Sequence, residues 1–128
     1  MPGEFLLDTN IVIAIFADET KVLKKIRRAT VYLPVIVVGE LIFGALKSGR
    51  AEMNLVRIKE FVAANSILPC DLGTAEGYGK IKQHLRGKGR PLPENDIWIA
   101  ALARQYVLTL VSRDEHFQGI DELKLVKW

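Results

Sequence analysis

Along its whole length the chain alternates short apolar runs with longer stretches of helical periodicity, and few folds accommodate that alternation. Glu4 to Asp8 is brief, apolar and followed by the polar pair Thr9-Asn10, as in a strand buried on both faces. Thr30 to Leu33, Ile67 to Pro69, Leu108 to Val111 and Leu123 to Val126 repeat the pattern, giving about five strands. Strands interleaved with helices predict an α/β fold, a three-layer α/β/α sandwich around a mainly parallel sheet.

The intervening segments carry helix signals. Thr9 or Asn10 can cap a helix through Ile11-Phe16, and Asp18-Glu19 opens another whose apolar stripe is Val22, Leu23 and Ile26. Pro34 suits the first turn of a helix running to about Ser48, with Gly49 ending it. Ala51 to Asn65 is amphipathic, with Leu55, Ile58, Phe61 and Val62 inward, and Gly73 to about Leu85 forms a further helix. Two glycines and two prolines make Arg86 to Pro93 a loop. Pro93 then starts a helix that ends near Tyr106. No repeat, linker or low-complexity tract divides the chain, so residues 1–128 read as a single domain.

Four acids interrupt these apolar segments: Asp8, Glu40, Asp96 and Asp114. Asp8 and Asp114 follow buried strands, at the carboxyl edge where open parallel sheets bind ligands. Asp96 opens a helix, where the macrodipole favours a negative charge, while Glu40 lies inside its helix without such support. Taken singly, Asp8 also suits a helix cap, Asp96 a first-turn acid and Asp114 a turn residue. Glu40 resists such explanation most, because charged groups are seldom buried unpaired.

Carboxylates brought within about 4 Å of one another repel by about 4 kcal/mol per pair at an effective dielectric of about 20, so a cluster calls for a cation. Oxygen ligands without paired histidine or cysteine favour Mg²⁺ or Mn²⁺ over zinc. Such ions polarise phosphoryl oxygens and activate water for phosphodiester hydrolysis.

Leu6-Leu7-Asp8-Thr9-Asn10, Glu40 in its apolar helix, Asn95-Asp96 ahead of Ile99-Ala100-Ala101, and Leu110-Val111-Ser112-Arg113-Asp114 occur in an order that resembles the PIN-domain family, specifically the VapC-type toxin ribonucleases of type II toxin-antitoxin systems. The resemblance spans nearly the full chain. It implies a Mg²⁺- or Mn²⁺-dependent endoribonuclease that acts on RNA, forms a homodimer and is inhibited by a small VapB-type antitoxin. By position it makes Asp8, Glu40 and Asp96 the core acids and Asp114 the fourth, with Asn10, Asn95 and Ser112 in support. Helix capping and local backbone hydrogen bonding explain Asn10 and Asn95 equally well. The division of labour expected on this basis has Asp8 and Asp96 hold the main metal, while Glu40 and Asp114 orient water.

Other features bear less on the chemistry. The net charge of +3 permits a polyanionic partner without demanding one. Lys80, Lys82, Arg86, Lys88 and Arg90 can cradle a phosphate backbone near Asp96, with Arg86, Lys88 and Arg90 as the substrate-binding candidates; a solvated helix face and loop explain them as well. His84 and His116 lack ligand spacing and are set outside the site. Trp98 is expected in the core or at a dimer contact, and Trp128 packed beside Val126. Cys70, the only cysteine, reads as a packing residue in a reducing compartment. The Met1-Pro2-Gly3-Glu4 start lacks the features of an export signal, and Val31 to Leu46 falls short of the roughly 20 residues a membrane span requires, so a cytoplasmic protein with no membrane partner is expected. The competing functions are a non-catalytic nucleic-acid-binding module, disfavoured by the presence of all four acids, and a metal-dependent DNA nuclease, disfavoured by the lack of an added DNA-clamping domain.

Overall fold

Glu4–Leu7 form β1, the middle strand of a five-stranded sheet that the computed structural model describes over residues 3–128. Met1 and Pro2, part of the start read for export signals, lie outside the described residues. After β1 come α1 (Thr9–Phe16), α2 (Thr20–Ile26), β2 (Thr30–Pro34), α3 (Val35–Leu46), α4 (Ala51–Ala63) and β3 (Ser66–Leu68). The chain then continues through α5 (Leu72–Gly87), α6 (Glu94–Gln105), β4 (Thr109–Val111), a 3₁₀ turn (Glu115–Gly119) and β5 (Leu125–Val126). All pairings are parallel in the order β3-β2-β1-β4-β5, with Phe5 beside Val31 on one side and Thr109 on the other.

The strand order fixes where a site can form. From β1 the chain steps outward through β2 to β3, then crosses back to β4 on the opposite side of β1. Right-handed crossovers in opposite directions require helices on both faces, which makes the expected three-layer sandwich. The reversal opens a crevice beyond the carboxyl ends of β1 and β4, the position at which α/β sheets bind ligands. Asp8 and Ser112 are the first residues past those two ends.

Burial accounts for the sheet's rigidity. Leu6, Leu7, Leu110 and Val111 are fully buried between helices, as their unbroken apolar runs require. Helix α6 is almost wholly enclosed, with Ile97 and every residue from Ile99 to Ala103 in the core. Its alanines admit a close neighbour: a Cβ at Gly77 of α5 would lie 3.5 Å from the Ala101 Cβ, so glycine lets the two helices approach. Gly89, at φ 65°, turns the chain after α5 in a conformation that favours glycine.

Several expectations shift. Of the capping residues expected for α1, it is Asp8 that caps it, not Thr9 or Asn10. Helix α5 continues through Gly87, leaving a loop shorter than the one expected from Arg86, because the Lys88 N–H closes the last turn onto the His84 and Leu85 carbonyls at 3.2 Å. In α4 only Ile58 is fully buried, with Leu55, Phe61 and Val62 packed partly against the core. Cys70 is exposed rather than packed. Trp98 is half-buried and stacks on Tyr78 at 4.2 Å between ring centres. Trp128 is buried, its ring edge-on to Phe5 at 5.1 Å. The 3₁₀ turn was not anticipated. Among the described residues no helix is long and apolar enough to cross a membrane.

Candidate metal centre

Asp8 sits where β1 gives way to α1, only 6% exposed. Its backbone N–H donates to the Val111 carbonyl at 3.0 Å, which pins it to the end of β4. One carboxylate oxygen accepts from the Thr9 N–H at 2.8 Å, and the other accepts from the Ser112 hydroxyl at 2.7 Å. Burial pushes its carboxyl above the ordinary range, the Ser112 and Thr9 bonds pull it back, and the Asp114 charge adds a further rise.

Ser112 joins three segments through one hydroxyl. While donating to Asp8, its Oγ accepts from the Asn10 side chain at 3.4 Å and from the Asp114 N–H at 3.0 Å. That engages both the donor and the acceptor capacity of a hydroxyl. Asn10 completes the link by accepting from the Arg113 N–H at 3.2 Å. The site is thus built on both central strands, and Asn10 and Ser112 hold its frame. Asn95, by contrast, is exposed in the first turn of α6 and makes no side-chain hydrogen bond among the described residues.

Glu40 approaches from α3, half-buried, and accepts from the Thr9 hydroxyl at 3.1 Å. Burial raises its carboxyl, the Thr9 bond opposes that, and Asp8 adds repulsion. Asp96, in the first turn of α6, has a side chain 15% exposed. Its carboxyl is pushed up to about 6, first by burial and then by Asp8, Asp114 and Glu40, with His116 acting in the other direction. Asp96 therefore lies within electrostatic reach of the other three acids.

The tightest grouping differs from the sequence expectation. Asp114 caps the 3₁₀ turn by accepting from the His116 N–H at 3.1 Å, and this folds the imidazole back over the acids. His116 Nδ1 lies 2.9 Å from Asp114 and 3.8 Å from Asp96. Ligand atoms of Asp96, Asp114 and His116 all fall within 4.8 Å of one another. Asp8, with both oxygens engaged by Thr9 and Ser112, is not part of this tight group. Sequence spacing hid His116 because the 3₁₀ turn brings it in; its position two residues after an acid at a turn was the available signal.

Neutralisation by protein cations is absent where it is most expected. Arg113 adjoins Asp114 in sequence but turns away to Glu19, at 2.7 and 3.2 Å, and to the Trp128 carbonyl at 3.0 Å. Among the described residues, His116 is the only basic side chain within ion-pair distance of any of the four acids. An all-carboxylate cluster with one imidazole and no lysine or arginine fits a hard divalent cation. Lys88 is engaged by Asp121 at 3.1 Å and Arg86 is exposed, while Arg90 lines an open cleft with Glu115, His116 and Gln118. The spare acid Glu94 is paired with Lys82 at the surface.

A parallel sheet ordered β3-β2-β1-β4-β5, sandwiched by helices and carrying acids at its point of reversal, defines the PIN class of fold. The chain belongs to the PIN domain family, whose model matches residues 5–123. It is 35% identical to Ribonuclease VapC2 of Haemophilus influenzae and 30% identical to a tRNA(fMet)-specific endonuclease VapC of Shigella flexneri, with 98% of both chains covered in each case. The crystal structure of DNA-bound VapBC from Salmonella typhimurium superposes on it with a TM-score of 0.92 at 29% identity, covering 100% of this chain and 99% of the other.

Proposed function

We propose that this protein is a Mg²⁺- or Mn²⁺-dependent endoribonuclease and the toxin of a VapBC-type pair. The observation that carries the proposal is the cluster of Asp8, Glu40, Asp96 and Asp114 at the sheet's point of reversal, where burial first and the neighbouring carboxylates next push Asp96 up to about 6, with no lysine or arginine among the described residues paired to any of the four. Relatives named as ribonucleases and a tRNA endonuclease supply the substrate class.

Asp96 and Asp114, whose oxygens converge, would hold the ion, with Asp8 and Glu40 completing its surroundings directly or through water. When bound, the ion supplies stabilisation of charge on the phosphoryl oxygens and lowers the pKa of water. Ser112 and Thr9 orient the Asp8 and Glu40 carboxylates by hydrogen bonds, so those acids present fixed oxygens instead of rotating. Glu40, held by the Thr9 hydroxyl at one oxygen, keeps the other available to orient a water for in-line attack. Arg90, in the cleft beside His116, would hold the RNA backbone, with Arg86 and Lys88 adding positive charge at the rim.

An antitoxin partner is supported by the neighbouring VapBC complex and by an apolar face on this chain. Ile13, Phe43, Leu46, Met53 and Val56 are all more than half exposed on α1, α3 and α4. Between these helices runs a groove lined by Ile13, Phe16, Leu41 and Ala45, with Thr9 and Glu40 also on its wall. A VapB-type segment seated there would cover the apolar surface and reach the acids. A cytoplasmic homodimer is the proposed assembly in which this occurs.

The decisive test is cleavage of total RNA and of tRNA(fMet) by wild type and Asp96→Asn, with fragment ends mapped. Discrete cuts are expected with Mg²⁺ or Mn²⁺ and none with chelator or in the variant. Cleavage that survives chelation, or DNA cut in preference to RNA, would overturn the assignment.

A further inference from the structure

We infer that His116 is a direct ligand of the divalent ion, which makes this centre a mixed nitrogen-oxygen site with a preference for Mn²⁺ over Mg²⁺. The inference rests on the metal-dependent reading above and goes further by naming a ligand outside the four acids and a metal selectivity.

Three observations carry it. His116 Nδ1 is 2.9 Å from an Asp114 oxygen and 3.8 Å from an Asp96 oxygen. Adjacent ligand atoms around a six-coordinate ion with bonds of about 2.1 Å lie about 3 Å apart and opposite ones about 4.2 Å apart, so His116 Nδ1 and its Asp114 oxygen are spaced as adjacent ligands of one small cation, and the Asp96 oxygen lies between the adjacent and the opposite spacing from Nδ1. The ring is held there by backbone structure, because Asp114 caps the 3₁₀ turn through the His116 N–H at 3.1 Å. That turn is itself anchored: Phe117, the next residue, is 1% exposed. The imidazole also has no competing partner among the described residues apart from these two acids, whereas His84, the other histidine, is committed to Asp121 at 2.8 Å.

The chemical consequence follows from ligand type. A neutral imidazole with its proton on Nε2 offers the Nδ1 lone pair to a metal. Nitrogen donors suit first-row transition ions, while Mg²⁺ keeps to oxygen and dehydrates reluctantly. His116 therefore adds more to Mn²⁺ binding than to Mg²⁺ binding.

The experiment uses untagged full-length protein, so that the chain's two histidines are the only imidazoles present. Mn²⁺ bound to wild type is examined by pulsed electron paramagnetic resonance for coupling to a directly bonded imidazole nitrogen, and Mn²⁺ and Mg²⁺ affinities are measured by titration. Nitrogen coupling is expected in wild type and in His84→Ala and absent in His116→Ala. His116→Ala should weaken Mn²⁺ binding about tenfold, as for loss of a metal-supporting residue, and Mg²⁺ binding less. The His116 side chain is 57% exposed, so its truncation leaves the core intact, and the wild-type spectrum decides the question without any variant. Mn²⁺ bound without nitrogen coupling would overturn the ligand role while leaving the nuclease assignment standing. Mg²⁺ bound without Mn²⁺ would overturn the ligand role alone, and binding of neither ion by wild type would overturn both.

Discussion

Replacing Asp96 by asparagine keeps the side chain's shape and removes one charge from a position that three other carboxylates act on. In the folded, metal-free protein its carboxyl is pushed from 3.8 up to about 6, with burial the largest cause and three neighbouring carboxylates the next. A rise of about two pH units corresponds to about 3 kcal/mol of free energy held against the ionised form. Because the folded value is raised, the penalty is absent below the unfolded value, grows as pH climbs through about 6 and is complete above it. Asp96→Asn should therefore stabilise the metal-free protein by about 3 kcal/mol at neutral pH, a gain in Tm of about 10 °C for a chain this long, even as it abolishes cleavage. Urea denaturation with chelator at a series of pH values is the assay. The advantage of the variant should shrink on acidification and vanish near pH 4, where the wild-type carboxyl is itself protonated. A variant of equal or lower stability at neutral pH, or a difference indifferent to pH, would refute the account of a strained acid cluster.

Mn²⁺ or Mg²⁺ at about 100 times its Kd should add about 2.7 kcal/mol to wild-type stability and almost nothing to Asp96→Asn, measured by thermal melts against a chelated control. Ser112→Ala removes the hydrogen bond that most lowers the Asp8 carboxyl, so it should cost about 1–3 kcal/mol and move the acidic limb of the pH–rate profile to higher pH; an unchanged profile would count against the hydroxyl's tuning role. Arg90→Ala should raise KM for RNA, leave kcat near wild type and lower the salt dependence of binding by about one phosphate contact, read from the slope of log affinity against log salt.

The groove between α1 and α4 and the acid cluster share Thr9 and Glu40. A partner seated along the apolar face would therefore touch the same side chains proposed to orient the attacking water, so docking and inhibition would need no conformational relay. Mutating Phe43 or Leu46, both more than half exposed, should weaken antitoxin binding without lowering intrinsic cleavage.

Apolar runs such as Leu6-Leu7 and Leu110-Val111, alternating with helical stretches along the chain, pointed without any structure to a mainly parallel sheet covered on both faces. The same local logic singled out Asp8, Glu40, Asp96 and Asp114, since an ionised side chain in apolar company is conspicuous in one dimension. Local chemistry could not show which carboxylates converge. That depends on β4 returning beside β1, which places residues 8 and 112 in hydrogen-bond contact across 104 positions of sequence. Nor could spacing reveal His116, whose approach depends on a 3₁₀ turn capped by Asp114, or the turning of Arg113 toward Glu19. Sequence determined which groups are charged and which segments must be buried, for those are properties of residues. Distance and orientation, and so the pairing of Asp96 with Asp114 and His116, belong to the assembled fold, because electrostatic energy is set by separation in space.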